Sequence, residues 1–122
     1  MTKCHQINGN GDKMTVSELI TKADLEIVNL ADAEREIVGG YTGDLLSFVM
    51  GNVETDNVWV TIMTNTNIVA VASLADVACI VITEAEELPN ETVESAKLRN
   101  INILKTKRNS YEMCAMLAGF GI

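Results

Sequence analysis

Positively charged residues are few in this sequence. Its 122 residues include 9 Lys and Arg against 17 Asp and Glu, which gives a formal net charge of −8. Nucleic acids and anionic membranes are bound by cationic surfaces, so this composition argues against both as partners. No apolar run reaches the roughly 18 residues of a membrane-spanning helix, and the N-terminus lacks the apolar segment of a signal peptide. We therefore expect a cytoplasmic protein.

Cysteine, histidine and aromatic residues are also scarce. The chain has 3 Cys and 1 His, and aromatic residues make up 4% of it. The cysteines lack CxxC spacing, which excludes a zinc motif and a disulfide framework, and Cys79 and Cys114 stand in apolar stretches as buried free cysteines do. Cys4 and His5 make at most a weak metal pair. With one histidine, no Ser/His/Asp or Cys/His set can be built from the rest of the chain. We predict no metal, no cofactor and no enzyme activity.

The remaining composition, 48% hydrophobic, is typical of one globular domain. We interpret the polar residues 1–13 as a flexible leader and residues 14–122 as the domain. Apolar stretches alternate with helical patterns, as in βαβ units. "VWVTIM" and "ACIVIT" are apolar almost throughout, which predicts strands covered on both faces. The sequence predicts an α/β sandwich with a mainly parallel sheet of about five strands and helices on both faces. The predicted strands are 25–30, 35–38, 58–63, 78–83 and 101–106. Residues 15–18 and 109–112 each have the spacing of a capping box, which predicts that a helix begins at each of them.

The stretch "VGGYTGDLLS", residues 38–47, has the glycine content of a phosphate loop. A P-loop also requires GxxxxGK[ST], because its lysine neutralises phosphate and its hydroxyl holds Mg²⁺. Neither that motif nor GxGxxG occurs in the chain, and Asp44 places a negative charge where a phosphate would sit. Two interpretations remain. In one, Gly39, Gly40 or Gly43 adopts a positive φ and Asp44 caps the next helix. In the other, the turn contacts a ligand at the carboxyl end of a strand.

Two segments resemble a known family. "VGGYTGDLLSFVM" and "VWVTIMTNTNIVAVASLADVACIVITE" are similar to the DRTGG domain, and the resemblance extends over residues 15–122. The letters "EIVGGYTGD" stand in the region of the DRTGG motif itself. The family resembles the N-terminal domain of HPr kinase/phosphorylase. It also occurs in some phosphotransacetylases and between the CBS domains of some inorganic pyrophosphatases. The resemblance implies an accessory regulatory domain, while other domains perform the chemistry.

Three further loops carry polar groups. "TNTN", residues 64–67, either caps a helix through Asn65 or Thr66 or adds its amides to a ligand pocket beside the glycine turn. Lys107 and Arg108 follow the last strand and precede a helix, so they form either an anion site or a solvated loop. The "EAEE" loop, 84–87, is interpreted as solvated rather than as a cation site. The candidate ligand-binding residues are Gly39, Gly40, Tyr41, Thr42, Gly43, Asp44, Thr64, Asn65, Thr66, Asn67, Lys107 and Arg108.

These observations favour a non-catalytic regulatory module that binds a small anionic metabolite or nucleotide at the carboxyl ends of the strands. The alternative is a ligand-free interaction module, either a homodimer or a domain that docks onto an enzyme. The small apolar residues of the predicted helix 67–76 favour this alternative, because they permit close packing on a second subunit. Trp59 could belong to the same interface. The expected partners are therefore a second copy of the chain, a small-molecule effector and an enzyme.

Overall fold

The structure is a computed structural model and describes residues 13–122. The predicted leader, with Cys4 and His5, lies almost entirely outside the described residues. Five helices alternate with five strands along the described chain. The helices are α1 (Val16–Ala23), α2 (Leu46–Asn52), α3 (Asn67–Ala75), α4 (Asn90–Arg99) and α5 (Ser110–Gly119). The strands are β1 (Glu26–Asn29), β2 (Gly39–Thr42), β3 (Asn57–Thr61), β4 (Cys79–Ile82) and β5 (Ile103–Lys105).

The strands form one five-stranded sheet in the order β1-β5-β4-β3-β2. Neighbours from β5 to β2 pair in parallel, and only β1 pairs antiparallel, with β5. Helices α1 and α5 cover one face of the sheet, and α2, α3 and α4 cover the other. The predicted α/β sandwich, with its mainly parallel sheet and two covered faces, is confirmed.

The second strand lies later in the chain than predicted. Residues 35–38 were expected to form it, but Glu36 makes only an isolated bridge with Thr15. Arg35 holds this segment near the start of β3 and the end of α3. Its guanidinium bonds Asp56, just before β3, at 2.7 Å and Asp76, just after α3, at 3.0 Å. The segment therefore crosses the amino ends of the parallel strands. The sheet pairing begins only at Gly39.

Two helices begin with the expected capping boxes. The Thr15 side chain accepts from the Glu18 N–H at 3.2 Å, and the Glu18 carboxylate accepts from the Thr15 N–H at 2.9 Å. Asn109 and Glu112 make the same exchange at the start of α5. Each box satisfies amide groups that a helix start leaves without intrahelical partners. These short-range signals place α1 and α5 correctly from sequence alone.

Aliphatic side chains fill the core on both faces of the sheet. Every residue of β3 and of β4 is buried, as the unbroken apolar character of the two stretches predicts. Trp59 is fully buried on the face covered by α2, α3 and α4. Trp59 therefore cannot contribute to a subunit interface, which corrects that part of the dimer hypothesis.

Cys79 is fully buried in β4, as expected, whereas Cys114 is only partly buried. Desolvation raises the pKa of the Cys79 thiol to about 12, against a small opposing effect of Arg35. The thiolate is the reactive form of cysteine. Because an unfolded thiol ionises near pH 8.5, the raised pKa makes the folded state less stable as the pH rises above about 9.

We predict that Cys79 resists a thiol reagent in the folded protein. In a Cys4→Ser/Cys114→Ser chain at pH 8, 5,5′-dithiobis(2-nitrobenzoate) should react with Cys79 only after denaturant is added. A Cys4→Ser/Cys79→Ser chain, which keeps the partly buried Cys114, is the matched control and should react faster without denaturant. Rapid labelling of Cys79 in the folded chain would contradict its burial.

Candidate functional site

The carboxyl ends of β2, β3, β4 and β5 lie at one end of the sheet, where ligands commonly bind in open α/β folds. Because β1 runs antiparallel, its amino end lies at the same end of the sheet, beside the carboxyl end of β5. Of the three predicted site segments, 64–67 follows β3 and 107–108 follows β5, whereas 39–44 contains β2 and its carboxyl end. They are nevertheless spread along this end of the sheet, because β3 and β4 separate β2 from β5.

The glycine segment is a strand and not a turn. Gly39 and Gly40 belong to β2, and within residues 13–122 the only glycine with a positive φ is Gly121. The predicted positive φ at Gly39, Gly40 or Gly43 is therefore wrong. The predicted cap is wrong as well, because the cap position of α2 is Leu45, which has no side-chain cap bond.

Asp44 instead ties the end of β2 to the end of β3. Its Oδ1 accepts from the Thr61 hydroxyl at 2.7 Å and from the Ile62 N–H at 3.0 Å. The Thr42 hydroxyl reinforces the same connection by donating to the Val60 carbonyl at 3.0 Å. The carboxylate of Asp44 thus has a structural role in holding two strand ends together.

Gly43 is a glycine because of packing. A β-carbon at this position would lie 3.1 Å from the Tyr41 ring and 3.3 Å from the Val49 side chain. The carbonyl of Gly43 also accepts a hydrogen bond from the Trp59 indole N–H at 3.1 Å. The backbone therefore has to pass close to three side chains at this point, and its conformation itself is ordinary.

We predict opposite effects for two Gly→Ala substitutions in this region. Gly43→Ala should lower the free energy of unfolding by about 1–2 kcal/mol, because the fully buried Val49 cannot move away from an added methyl group. Gly51→Ala in α2 should raise it by about 0.5 kcal/mol, because no heavy atom lies within 4 Å and alanine favours helix. Urea denaturation followed by circular dichroism measures both changes. A neutral Gly43→Ala variant would contradict the packing argument.

The polar segment 64–67 makes local hydrogen bonds. Asn65 Oδ1 accepts from the Asn67 N–H at 2.9 Å, which satisfies one amide at the start of α3. Thr66 occupies the cap position, but its side chain makes no cap bond. The Thr64 carbonyl accepts from the Thr92 hydroxyl at 2.8 Å, which links the turn to α4. The capping interpretation is thus supported for Asn65, and the ligand role of this turn stays a prediction.

A cleft of about 530 Å³ opens at the carboxyl end of β5, where β5 lies beside the amino end of β1. We call it the charged cleft, because acidic and basic side chains line it in equal number. Both Lys107 and Arg108 contribute to it, and the other ten candidate residues do not. The charged residues that line it are Asp24, Glu26, Glu87, Lys105, Lys107 and Arg108.

Lys105 occupies the floor of the charged cleft. Its side chain is 10% exposed, and its Nζ lies 3.3 Å from Glu87 and 3.6 Å from Glu26. Burial alone would lower the pKa of Lys105, but the hydrogen bond to Glu87 and the charges of both carboxylates outweigh burial and raise this pKa. The ammonium group is therefore charged at neutral pH. Lys105 is absent from the site residues predicted from sequence, although a lysine inside the apolar stretch "INILKT" is a signal that could have indicated it.

Arg108 is held in place on one side of the charged cleft. Its Nη1 donates to the Ala23 carbonyl at 2.7 Å and to the Thr106 hydroxyl at 3.1 Å. In the loop after β4, Glu84 and Ala85 adopt φ values of 63° and 54°, the left-handed region that side chains rarely occupy. Their N–H groups donate to the carbonyls of Arg108 and Thr106. The loop after β4 is thereby fixed to the loop after β5.

Residues 13–122 contain neither a candidate metal site nor a candidate membrane-spanning helix. No cluster of three His, Cys, Asp or Glu side chains in this range could hold a metal ion. No helix in the same range is both long and apolar enough to cross a bilayer. The acidic loop contributes Glu87 to the charged cleft, where the carboxylate pairs with Lys105.

Fold and site together define a small three-layer α/β domain with a charged cleft at the carboxyl ends of its strands. A model of the family described as the DRTGG domain matches residues 26–120, most of the chain. The protein belongs to the DRTGG domain family. The resemblance stated from the sequence is confirmed. A search of curated protein sequences gave no match.

A solved structure has the same fold. It is the crystal structure of the CBS and DRTGG domains of the regulatory region of Clostridium perfringens pyrophosphatase, complexed with activator, diadenosine tetraphosphate. The TM-score is 0.72 and the sequence identity is 14%. The similarity covers 87% of this chain and 46% of the other, so this chain spans about half the length of that structure.

Proposed function

We propose that this chain is a non-catalytic regulatory module that binds a small phosphate-bearing anion, a metabolite or a nucleotide, in the charged cleft. The observation that carries the proposal is the position of Lys105. Its side chain is only 10% exposed, whereas the side chains of its two partners, Glu26 and Glu87, are 68% and 88% exposed. The Lys105 stem is therefore held in the fold, while both carboxylate partners are open to exchange with a ligand from solvent.

Replacement of Glu87 by a ligand phosphate costs little free energy. An ion pair with an exposed partner contributes about 0–1 kcal/mol to stability, so its loss is easily offset. A phosphate group carries more charge than a carboxylate and more acceptor oxygens, and it would take the place of Glu87 on Lys105. The cleft is already shaped, because backbone bonds hold the loops after β4 and β5 together.

Lys107 and Arg108 extend the site beyond one ammonium. Among the described residues, Lys107 makes no ion pair, and only Nη1 of the Arg108 guanidinium is bonded. The remaining guanidinium donors suit the oxygen atoms of a phosphate. Because Lys107 and Arg108 form no ion pair among the described residues, these two cations beside Lys105 favour a ligand with two or more phosphates over a simple carboxylate.

The pyrophosphatase regulatory region supports this ligand class, because its activator is a dinucleotide with four phosphates. It supports a regulatory role for the same reason. We infer no catalysis, because the P-loop is missing and the single histidine, His5, precedes the domain. The remaining expectations, a cytoplasmic location and an enzyme partner, are part of the same proposal.

The proposal predicts that two substitutions change affinity in opposite directions. Binding of pyrophosphate, ATP and diadenosine tetraphosphate to the full chain would be measured by isothermal titration calorimetry. Lys107→Ala should weaken binding about fivefold, equivalent to about 1 kcal/mol. Glu87→Gln should strengthen it, because Lys105 no longer has to release a carboxylate.

The control variants change an exposed ion pair on α4, outside the cleft, in which Lys97 Nζ lies 3.1 Å from Glu94 Oε2. Lys97→Ala and Glu94→Gln make the same changes in charge and should leave affinity unchanged. If no polyanion binds, or if Glu87→Gln weakens binding, the charged cleft is not the ligand site.

A further inference from the structure

The two edges of the sheet are protected to different degrees. An edge strand exposes unpaired backbone N–H and C=O groups, and natural proteins block such edges with charges, prolines or bulges. At one edge, β1 carries Glu26 and has an irregular register between Ile27 and Asn29. At the other edge, β2 reads Gly-Gly-Tyr-Thr, without charge, proline or bulge, and pairs regularly with β3.

The outward-facing groups of β2 can be assigned from its pairing. The Gly43 N–H donates to the Val60 carbonyl, and the register is regular from Gly39 to Thr42. Backbone groups alternate in direction along a strand, so those of Tyr41 face β3 as well. The N–H and C=O groups of Gly40 and Thr42 therefore point away from the sheet, and both residues are exposed.

We propose that the β2 edge binds a second copy of this chain through antiparallel β2–β2 pairing about a two-fold axis at Tyr41. In this register Gly40 of each copy lies opposite Thr42 of the other. Each such pair exchanges both of its N–H···O bonds, as the narrow pairs of an antiparallel ladder do. The arrangement uses the same surface on both copies, so it closes as a dimer and extends the sheet across both.

Charge opposes a second copy least at this place. The chain has a formal net charge of −8, so two copies repel each other over most of their surface. β2 itself has no ionisable group except the Tyr41 phenol. The nearest carboxylate that follows, Asp44, bonds Thr61 and Ile62. In the Tyr41-centred register Asp44 lies opposite residue 38 of the other copy, far from the second Asp44.

Apolar surface lies beside the strand on both faces of the sheet. On the α5 side, a cleft of about 180 Å³ is lined by Gly40, Cys114, Leu117 and Ile122 among others. On the α2 side, the segment after β2 exposes Leu45 by 62% and Phe48 by 64%. Burial of such groups supplies the hydrophobic contribution that backbone bonds alone do not. This surface is separate from the charged cleft, which lies on the other side of the sheet, beside β5 and β1.

A matched pair of lysine substitutions tests the surface. Sedimentation equilibrium of the full wild-type chain at micromolar concentration should give twice the chain mass. Thr42→Lys adds a charge to the β2 edge and should raise the dimer dissociation constant about tenfold or more, because two lysines then meet within one interface. Ile27→Lys adds the same charge to the exposed β1 edge and should leave dimerisation unchanged. Circular dichroism checks that both variants fold.

A disulfide test fixes the register. Residues opposite each other in a wide antiparallel pair have Cα atoms about 4.5 Å apart, within the range of a disulfide. In a Cys4→Ser/Cys114→Ser chain, Tyr41→Cys should therefore form a covalent dimer under mild oxidation, whereas Thr21→Cys on α1 should not.

Three results would overturn the proposal. They are a monomeric wild-type chain, a Thr42→Lys variant that dimerises like the wild type, and a β2 edge that pairs only with a strand of a different protein. Loss of ligand binding in the charged cleft would leave this proposal intact, since the two surfaces are tested by different variants.

Discussion

Burial of β3 and β4 on both faces is the constraint on which the rest of the structure depends. Every residue in these two strands is buried, so helices must cover both faces of the sheet. Connections between parallel strands then have to pass over those faces as helices. Polar chemistry is consequently confined to the ends and the outer edges of the sheet. Both surfaces proposed here, the charged cleft and the β2 edge, lie in those two places.

The same constraint explains how much the sequence could predict. Strands β3 and β4 were placed from unbroken apolar runs, and α1 and α5 from capping boxes, because these signals depend on neighbours in the chain. The segment 35–38 also has the composition of a strand. Its position was set by Arg35, which bonds carboxylates more than 20 residues away in sequence, and no local pattern contains that information.

The candidate site was predictable only in part for a related reason. Lys107 and Arg108 were found because a basic pair between a strand and a helix is a local signal. Their neighbours in the cleft, Asp24 and Glu26, come from β1 and the residues before it, and they arrive there because β1 pairs antiparallel with β5. Strand order also separates the glycine segment from Lys107. The glycine segment and the turn 64–67 do lie at neighbouring strands, β2 and β3, and a pocket that joined all three segments would have required β5 to lie beside one of them.

The bond from the Trp59 indole to the Gly43 carbonyl has a practical consequence. The chain contains one tryptophan, and its ring is buried where β2 ends and α2 approaches. Its fluorescence therefore reports on a single, known place in the molecule, without any label or substitution. That place lies beside the exposed edge strand and two strands away from the charged cleft. An emission change on adding an anion would thus reveal movement transmitted through the sheet, while a constant spectrum would mean that the far side of the domain stays rigid.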